Sequence, residues 1–176
     1  MTGKRLQVVL CGLGGQGIVF ATRLLAHAAR LQGIAVICSE FKGMAQRRAS
    51  VVSFLKIGDF SSASIRRGAA DAVICLDPSE LDQALSYARP GGTCVVNAPA
   101  DDQRMRGLRE RTGIPVRRID GGTGRSSNMA VLGAAGLLDP ETLRRALSEL
   151  SRPEALQENL EAFERGLVAA ATPGRG

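Results

Sequence analysis

Residues 6–20 read LQVVLCGLGGQGIVF. Residues 6–11 are apolar apart from Gln7 and show no polar alternation, which predicts a strand covered on both faces. Gly12, Gly14 and Gly17 then follow at the spacing G-x-G-x-x-G, and residues 17–33 read as a helix closed by Gly33. A strand feeding a helix through such a turn brings backbone N–H groups and the helix N-terminus close to any bound anion. The same turn also packs a helix tightly on a sheet with no ligand. By itself it does not choose between the two.

Working outward, strand-like runs at 34–40, 50–59, 71–77, 93–99 and 114–120 alternate with helical stretches. Asp77-Pro78-Ser79-Glu80 supplies a cap, a first-turn proline and a glutamate three residues after the cap, so a helix is expected there, ending at the turn signal ARPGG. A charged helix is expected over 101–113. The alternation predicts a Rossmann-like α/β fold, a mainly parallel sheet flanked by helices. Residues 50–57 alternate more strictly than the other runs, as an edge or antiparallel strand does. The last third reads as helical, with starts at Asp139-Pro140-Glu141 and at Ser151-x-x-Glu154, the latter a capping box. Leu156, Leu160, Phe163 and Leu167 form one apolar stripe assigned to the core. The chain reads as a single domain over 1–176, with residues 172–176 a frayed tail.

Composition narrows the classes. The 176 residues are 44% hydrophobic and 23% charged, as in a soluble globular domain. No apolar run approaches the roughly 18 residues of a membrane span. The first apolar run, about five residues, is too short for a signal peptide, so a cytoplasmic location is expected. The cysteines, at 11, 38, 75 and 94, never stand as C-x-x-C, so no metal site is expected from this chain alone; they read as small buried hydrophobes in strands. Net charge is +6, and all but Lys4, Lys42 and Lys56 of the 23 basic residues are arginine. Seven arginines fall within 104–125 against Glu110 and Asp120. With one Tyr, five Phe and no Trp there is no base-stacking platform, so nucleic acid is not the expected partner. An anionic ligand or acidic protein fits better. His27, the only histidine, shares a helical face with Phe20, Leu24 and Leu31 and reads as a packing residue. With no second histidine and no paired carboxylates, no catalytic residue is assigned.

Two further loops carry polar chemistry. Residues 39–50, SEFKGMAQRRAS, hold a carboxylate, a carboxamide, three cations and two hydroxyls, more than a simple connection needs, and read as a binding or docking loop. Glu40 ends the second strand, where a ribose-binding carboxylate sits in dinucleotide enzymes, so an NAD(P)-dependent oxidoreductase stands as an alternative. Residues 121–128, GGTGRSSN, precede an apolar helix and favour an ordinary cap over an anion site. Together with the arginines of 104–125 they leave a nucleotide- or coenzyme A-binding module as a further alternative.

Taken together, residues 12–29 and 39–59 resemble the gamma subunit, or gamma domain, of 2-oxoacid:ferredoxin oxidoreductases of the pyruvate, ketoisovalerate and indolepyruvate types. The resemblance rests on a G-x-G-G-Q-G turn, here Gly12, Gly14, Gly15, Gln16 and Gly17. It rests equally on an S-E-x-x-G-M-A-Q-R-G-G-S loop, matched at Ser39, Glu40, Gly43, Met44, Ala45, Gln46, Arg47 and Ser50. It continues through ADAVICLDPSELDQAL, through PGGTCVVN ending at Asn97, and through SSNMAVLGAAGLL and NLEAFERG. Arg48 and Ala49 replace the two glycines of the second motif, which resist the φ values and close approach that glycine allows.

The resemblance implies a subunit that is not catalytic alone, within an enzyme that oxidatively decarboxylates a 2-oxoacid and passes electrons to ferredoxin. Thiamine diphosphate and iron–sulfur clusters are then expected on partner subunits and none on this chain. It implies an assembly role and a surface near coenzyme A. The ligand-facing residues would be Gly12, Gly14, Gly15, Gln16, Gly17, Glu40, Gly43, Met44, Gln46, Arg47, Ser50 and Asn97. A subunit built for assembly is also expected to expose an apolar patch, and to form homodimers or aggregates when expressed alone.

Overall fold

In the computed structural model, residues 5–42 and 49–171 are described. Strand β1 (Leu6–Leu13) leads through the glycine turn into helix α1 (Ile18–Leu31), then β2 (Val36–Lys42) and β3 (Ser50–Ile57). Next come β4 (Ala70–Cys75), a 3₁₀ turn at Pro78–Glu80 running into α2 (Leu81–Leu85), and β5 (Ala88–Asn97). A second 3₁₀ turn at Gln103–Met105 precedes α3 (Leu108–Thr112) and β6 (Val116–Ile119). Helices α4 (Ser127–Ala135), α5 (Pro140–Leu150) and α6 (Pro153–Ala171) complete the chain.

The strands form one sheet in the order β2-β3-β1-β4-β5-β6. The pairs β1/β4, β4/β5 and β5/β6 are parallel, while β3 runs antiparallel to both β1 and β2. The reversal has a simple cause. Only the seven residues 43–49 separate β2 from β3, and a parallel crossover takes a dozen or more. Residues 50–57 are therefore antiparallel, as their alternation predicts, but they are not an edge strand: β3 lies between β2 and β1.

Both faces of the sheet are covered. Val8 and Leu10 point into a core shared with α1, α4, α5 and α6; Val9 and Cys11 point into a second core with Leu81, Leu85, Cys94, Val96 and Leu108. That is the period-two reading of an unbroken apolar strand buried on both sides. Helix α4 is buried from Asn128 through Ala134. It crosses α6 backbone to backbone, because a Cβ at Gly133 would land on the Phe163 carbonyl oxygen and one at Gly166 on the Ala130 carbonyl oxygen. The face that α6 buries is therefore Asn159, Ala162, Phe163 and Gly166, while Leu156, Leu160 and Leu167 of the expected stripe are half-buried.

Several local expectations are corrected. The Arg-Pro-Gly-Gly stretch lies inside β5, absorbed as an irregularity where the β4 partner steps from Ala70/Ala88 to Ala72/Thr93. The helix expected over 101–113 is split, because Gly107 takes φ +61° between the 3₁₀ turn and α3. Ser151 closes α5 as its C-cap and accepts a hydrogen bond from Asn159 Nδ2 at 3.1 Å. Cys38 is exposed, unlike Cys11, Cys75 and Cys94. Among the described residues the exposed large hydrophobic is Val168 alone, so no broad apolar patch matches the one expected. The tail 172–176 lies outside the described residues.

Candidate functional site at the carboxyl rim of the sheet

Strands β1, β4, β5 and β6 point the same way and end on one rim. In open α/β sheets ligands bind outside that rim. Here it bears a cleft of about 300 Å³, walled by Gly15 and Gln16, by Asp77, by Asn97, and by Asp120 with the loop Gly122, Thr123, Gly124 and Arg125.

The glycine turn is shaped by close approach. Gly15 (φ 94°) and Gly17 (φ 78°) are left-handed, the latter as the N-cap of α1. A Cβ on Gly17 would collide with the Asn128 amide. A Cβ on Gly12 would stand 2.6 Å from Gln16 Oε1 and 3.0 Å from Leu76 Cβ. Gln16 is the keystone: its Oε1 accepts from Leu13 N at 2.7 Å, and its Nε2 donates to Asp77 Oδ2 at 2.9 Å. Asp77 Oδ1 accepts from Ser79 N at 3.0 Å and from Ser79 Oγ at 2.6 Å. Burial pushes the Asp77 carboxyl up, but the two Ser79 donors, the Gln16 amide and the charge of Arg104 outweigh it and hold the group below the usual carboxylate range.

The remaining walls are tied to this turn. Gly14 N donates to Ala49 O at 2.9 Å, and Ser50 Oγ donates to Glu80 Oε2 at 2.6 Å. The described residues next to this loop meet the rim, Lys42 paired with Val51 and Ala49 bonded to Gly14. Asn97 clamps the last loop: Oδ1 accepts from Gly121 N at 2.9 Å and Nδ2 donates to Gly122 O at 3.0 Å. Asn128, 3% exposed, donates from Nδ2 to Gly17 O at 3.2 Å and so joins the N-terminal ends of α4 and α1; its buried Oδ1 has no partner.

The residues expected from the sequence thus divide. Gly15, Gln16 and Asn97 line the cleft. Gly12, Gly14, Gly17 and Ser50 support it from behind. Glu40 is not brought to it. In the sheet register Glu40 faces Ser53 and Ser53 faces Leu10, which sets Glu40 two strands, roughly 9–10 Å, from β1. The intruding β3 removes the carboxylate that a dinucleotide ribose requires at the neighbouring strand. Gly43, Met44, Gln46 and Arg47 lie outside the described residues. Arg125 belongs to the 121–128 loop and the arginine cluster read from the sequence as a possible anion site; Asp77 and Asp120 were not assigned to a site, Asp77 reading as a helix cap, which it is, while its other oxygen accepts from Gln16 Nε2.

The thiols do not suit a cluster. Cys11 donates to Ile74 O and Cys75 to Asp77 O. The hydrogen bond with Cys75, then burial, pushes the Cys11 thiol well up, and burial does the same to Cys94. Such thiols stay protonated, whereas iron and zinc bind thiolate. Among the described residues no group of His, Cys, Asp or Glu is placed to hold a metal. His27 lies away from the cleft, with Nε2 2.6 Å from Glu149 Oε2, joining α1 to α5. No helix among the described residues is long and apolar enough to cross a membrane.

A mixed α/β sheet with a glycine turn, two helix N-termini and a polar cleft at the carboxyl rim defines a Rossmann-like domain. The sequence profile of the pyruvate ferredoxin/flavodoxin oxidoreductase family matches residues 7–169, and the chain belongs to that family. It is a gamma-type subunit of a 2-oxoacid:ferredoxin oxidoreductase. It is 31% identical to indolepyruvate oxidoreductase subunit IorB of Methanothermobacter thermautotrophicus, over 93% of this chain and 97% of that one. It is 28% identical to the pyruvate/ketoisovalerate oxidoreductases common subunit gamma of Thermococcus litoralis, over 93% and 98%. The fold matches pyruvate oxidoreductase subunit PORC of Thermotoga maritima (TM-score 0.71, 23% identity, 96% and 97% covered). It also matches part of the 2-oxoglutarate:ferredoxin oxidoreductase of Magnetococcus marinus, solved with 2-oxoglutarate, coenzyme A and succinyl-CoA bound (TM-score 0.81, 22% identity). That match covers 99% of this chain and 32% of the other.

Proposed function

We propose that this chain braces the thiamine- and iron–sulfur-bearing subunits of a cytoplasmic 2-oxoacid:ferredoxin oxidoreductase and turns its rim cleft toward coenzyme A. The observation that carries this is the first residue of α4, Ser127, in the wall of a cleft also lined by Gly122, Gly124 and Arg125, with the start of α1 tied to α4 just behind through Asn128 and Gly17. Backbone N–H groups at helix starts favour anions, and an arginine adds a planar pair of donors for phosphate. A cleft of about 300 Å³ seats one end of coenzyme A, not the whole molecule. The thiol end would then remain free to reach the acyl group formed on a companion subunit. The IorB relatives support an aromatic 2-oxoacid of the indolepyruvate kind as substrate of the whole complex.

Calorimetry on the assembled complex tests the ligand. Coenzyme A should bind, pantetheine, which lacks the nucleotide phosphates, should bind weakly, and Arg125→Glu should weaken coenzyme A selectively. Equal binding of coenzyme A to the R125E complex would refute the placement. Micromolar binding of NAD would restore the dinucleotide alternative.

A further inference from the structure

The described surface exposes a single large hydrophobic, Val168, so a subunit interface on this chain has little apolar area to draw on. Charge is distributed otherwise. At the end of the sheet opposite the cleft, β1, β4 and β5 begin and β3 ends. There the exposed Arg5 guanidinium stands 4.3 Å, and the buried Lys56 ammonium 5.0 Å, from the centre of the Phe60 ring. Arg67 stands 6.0 Å from the Tyr87 ring. Gln7 holds the same segment in place, donating from Nε2 to Ala69 O at 2.9 Å, and Gly68 N donates to Ser86 O at 2.9 Å. Arg66 and Arg67 are both exposed. The carboxylates here are Asp59 and Asp71, and Asp71 is already taken by Arg89 Nε at 2.7 Å. Among the described residues no carboxylate lies within ion-pair distance of Arg5, Lys56, Arg66 or Arg67.

We propose that this basic pole, centred on Arg66 and Arg67, is the docking surface for an acidic face of a neighbouring subunit of the complex. The inference rests on the assembly role given above. The Arg5 and Arg67 heads, held over the Phe60 and Tyr87 faces, are already partly ordered, so less entropy is lost when they pair with carboxylates across an interface. The same geometry argues against nucleic acid: the Phe60 and Tyr87 faces that could stack bases are covered by cations. The pole lies a strand length, roughly 25 Å, from the rim. Docking there leaves the cleft open.

The test uses the full chain and the thiamine- and cluster-binding subunits of its own complex. Association rate and Kd are measured between about 50 and 300 mM salt, a range over which the screening length falls by a factor of about 2.4. Arg66→Glu/Arg67→Glu should slow association by about tenfold or more at low salt and flatten the salt dependence. Arg66→Gln/Arg67→Gln should fall between that variant and the unaltered chain. Arg165→Glu, an exposed charge on α6, should leave both quantities unchanged, and all variants should melt with the unaltered chain. If R66E/R67E associates with the unaltered rate and salt slope, the pole is not the docking surface, though the assembly role stands. If the unaltered chain fails to associate at all, the assembly role falls and takes this inference with it. If the double reversal abolishes binding to random-sequence duplex DNA or to phosphatidylserine vesicles while subunit association is untouched, the pole serves that other ligand and the inference is overturned.

Discussion

Gly166→Ala sets two known effects against each other. In a helix interior, replacing glycine by alanine gains about 1 kcal/mol of propensity. At Gly166 the added methyl would fall on the Ala130 carbonyl oxygen and lie 2.8 Å from the Ala130 carbonyl carbon and 3.0 Å from Ala134 N. These are backbone atoms of α4, which is buried along nearly its whole length and cannot swing aside as a side chain does. Overpacking costs about 1–3 kcal/mol, and contact with backbone places this site at the upper end. The net expectation is a loss of about 2 kcal/mol, a fall in Tm of roughly 4–8 °C for a domain of this size. Thermal melts followed by far-UV circular dichroism, with urea titrations alongside, measure it. Gly133→Ala should behave alike, and the two should not add, since they relieve the same crossing. A rise in Tm for G166A, the pure propensity result, would mean that α4 and α6 do not meet backbone to backbone.

Three other outcomes follow from the rim. Gly17→Ala should cost about 1–2 kcal/mol from its left-handed φ alone, with a further loss from collision with Asn128, read in the same melts. Asn97→Ala removes both hydrogen bonds to the 121–122 turn; a stability loss of about 1–3 kcal/mol is expected, together with weaker coenzyme A binding by the complex in calorimetry. Asp77 has a carboxyl held below its unfolded value of about 3.9, so its contribution is complete above that pH and is lost as pH falls through the lowered native value. Asp77→Asn should therefore flatten the acid limb of the stability profile below about pH 4, and an unchanged limb would show that the Ser79 and Gln16 contacts do not favour the ionised form.

Much of the architecture was legible because its signals are local. The unbroken apolar run before Gly12, the glycine spacing and the caps at Asp77 and Asp139 each act within a few residues, and each stands where it was read. The failures were of a different kind. Residues 101–113 carried helical composition, but Gly107 adopts a conformation that ends a helix. Arg-Pro-Gly-Gly carried a turn signal, yet pairing with β4 recruits its flanks into β5. The capping-box serine at 151 serves the end of one helix and a side chain of the next. In the last two cases a contact outside the segment outweighed the local preference; at Gly107 the glycine's own backbone did.

The site was legible in part for the same reason. The glycine turn, Asn97 and the loop that carries Arg125 could be singled out, but Asp77 and Asp120 could not, because they join the cleft only when the strands end together. What the sequence alone determined was the set of strands and helices, the turn that joins the first two, and a charge balance rich in arginine. Tertiary structure decided where β3 was placed. Hydrogen bonding between distant strands inserted it beside β1, carried Glu40 away from the glycine turn and left the rim to Asn97 and the 121–125 loop. Backbone spacing along the chain sets which elements form, whereas which strand edges meet depends on the burial of both faces at once, a property no single segment contains.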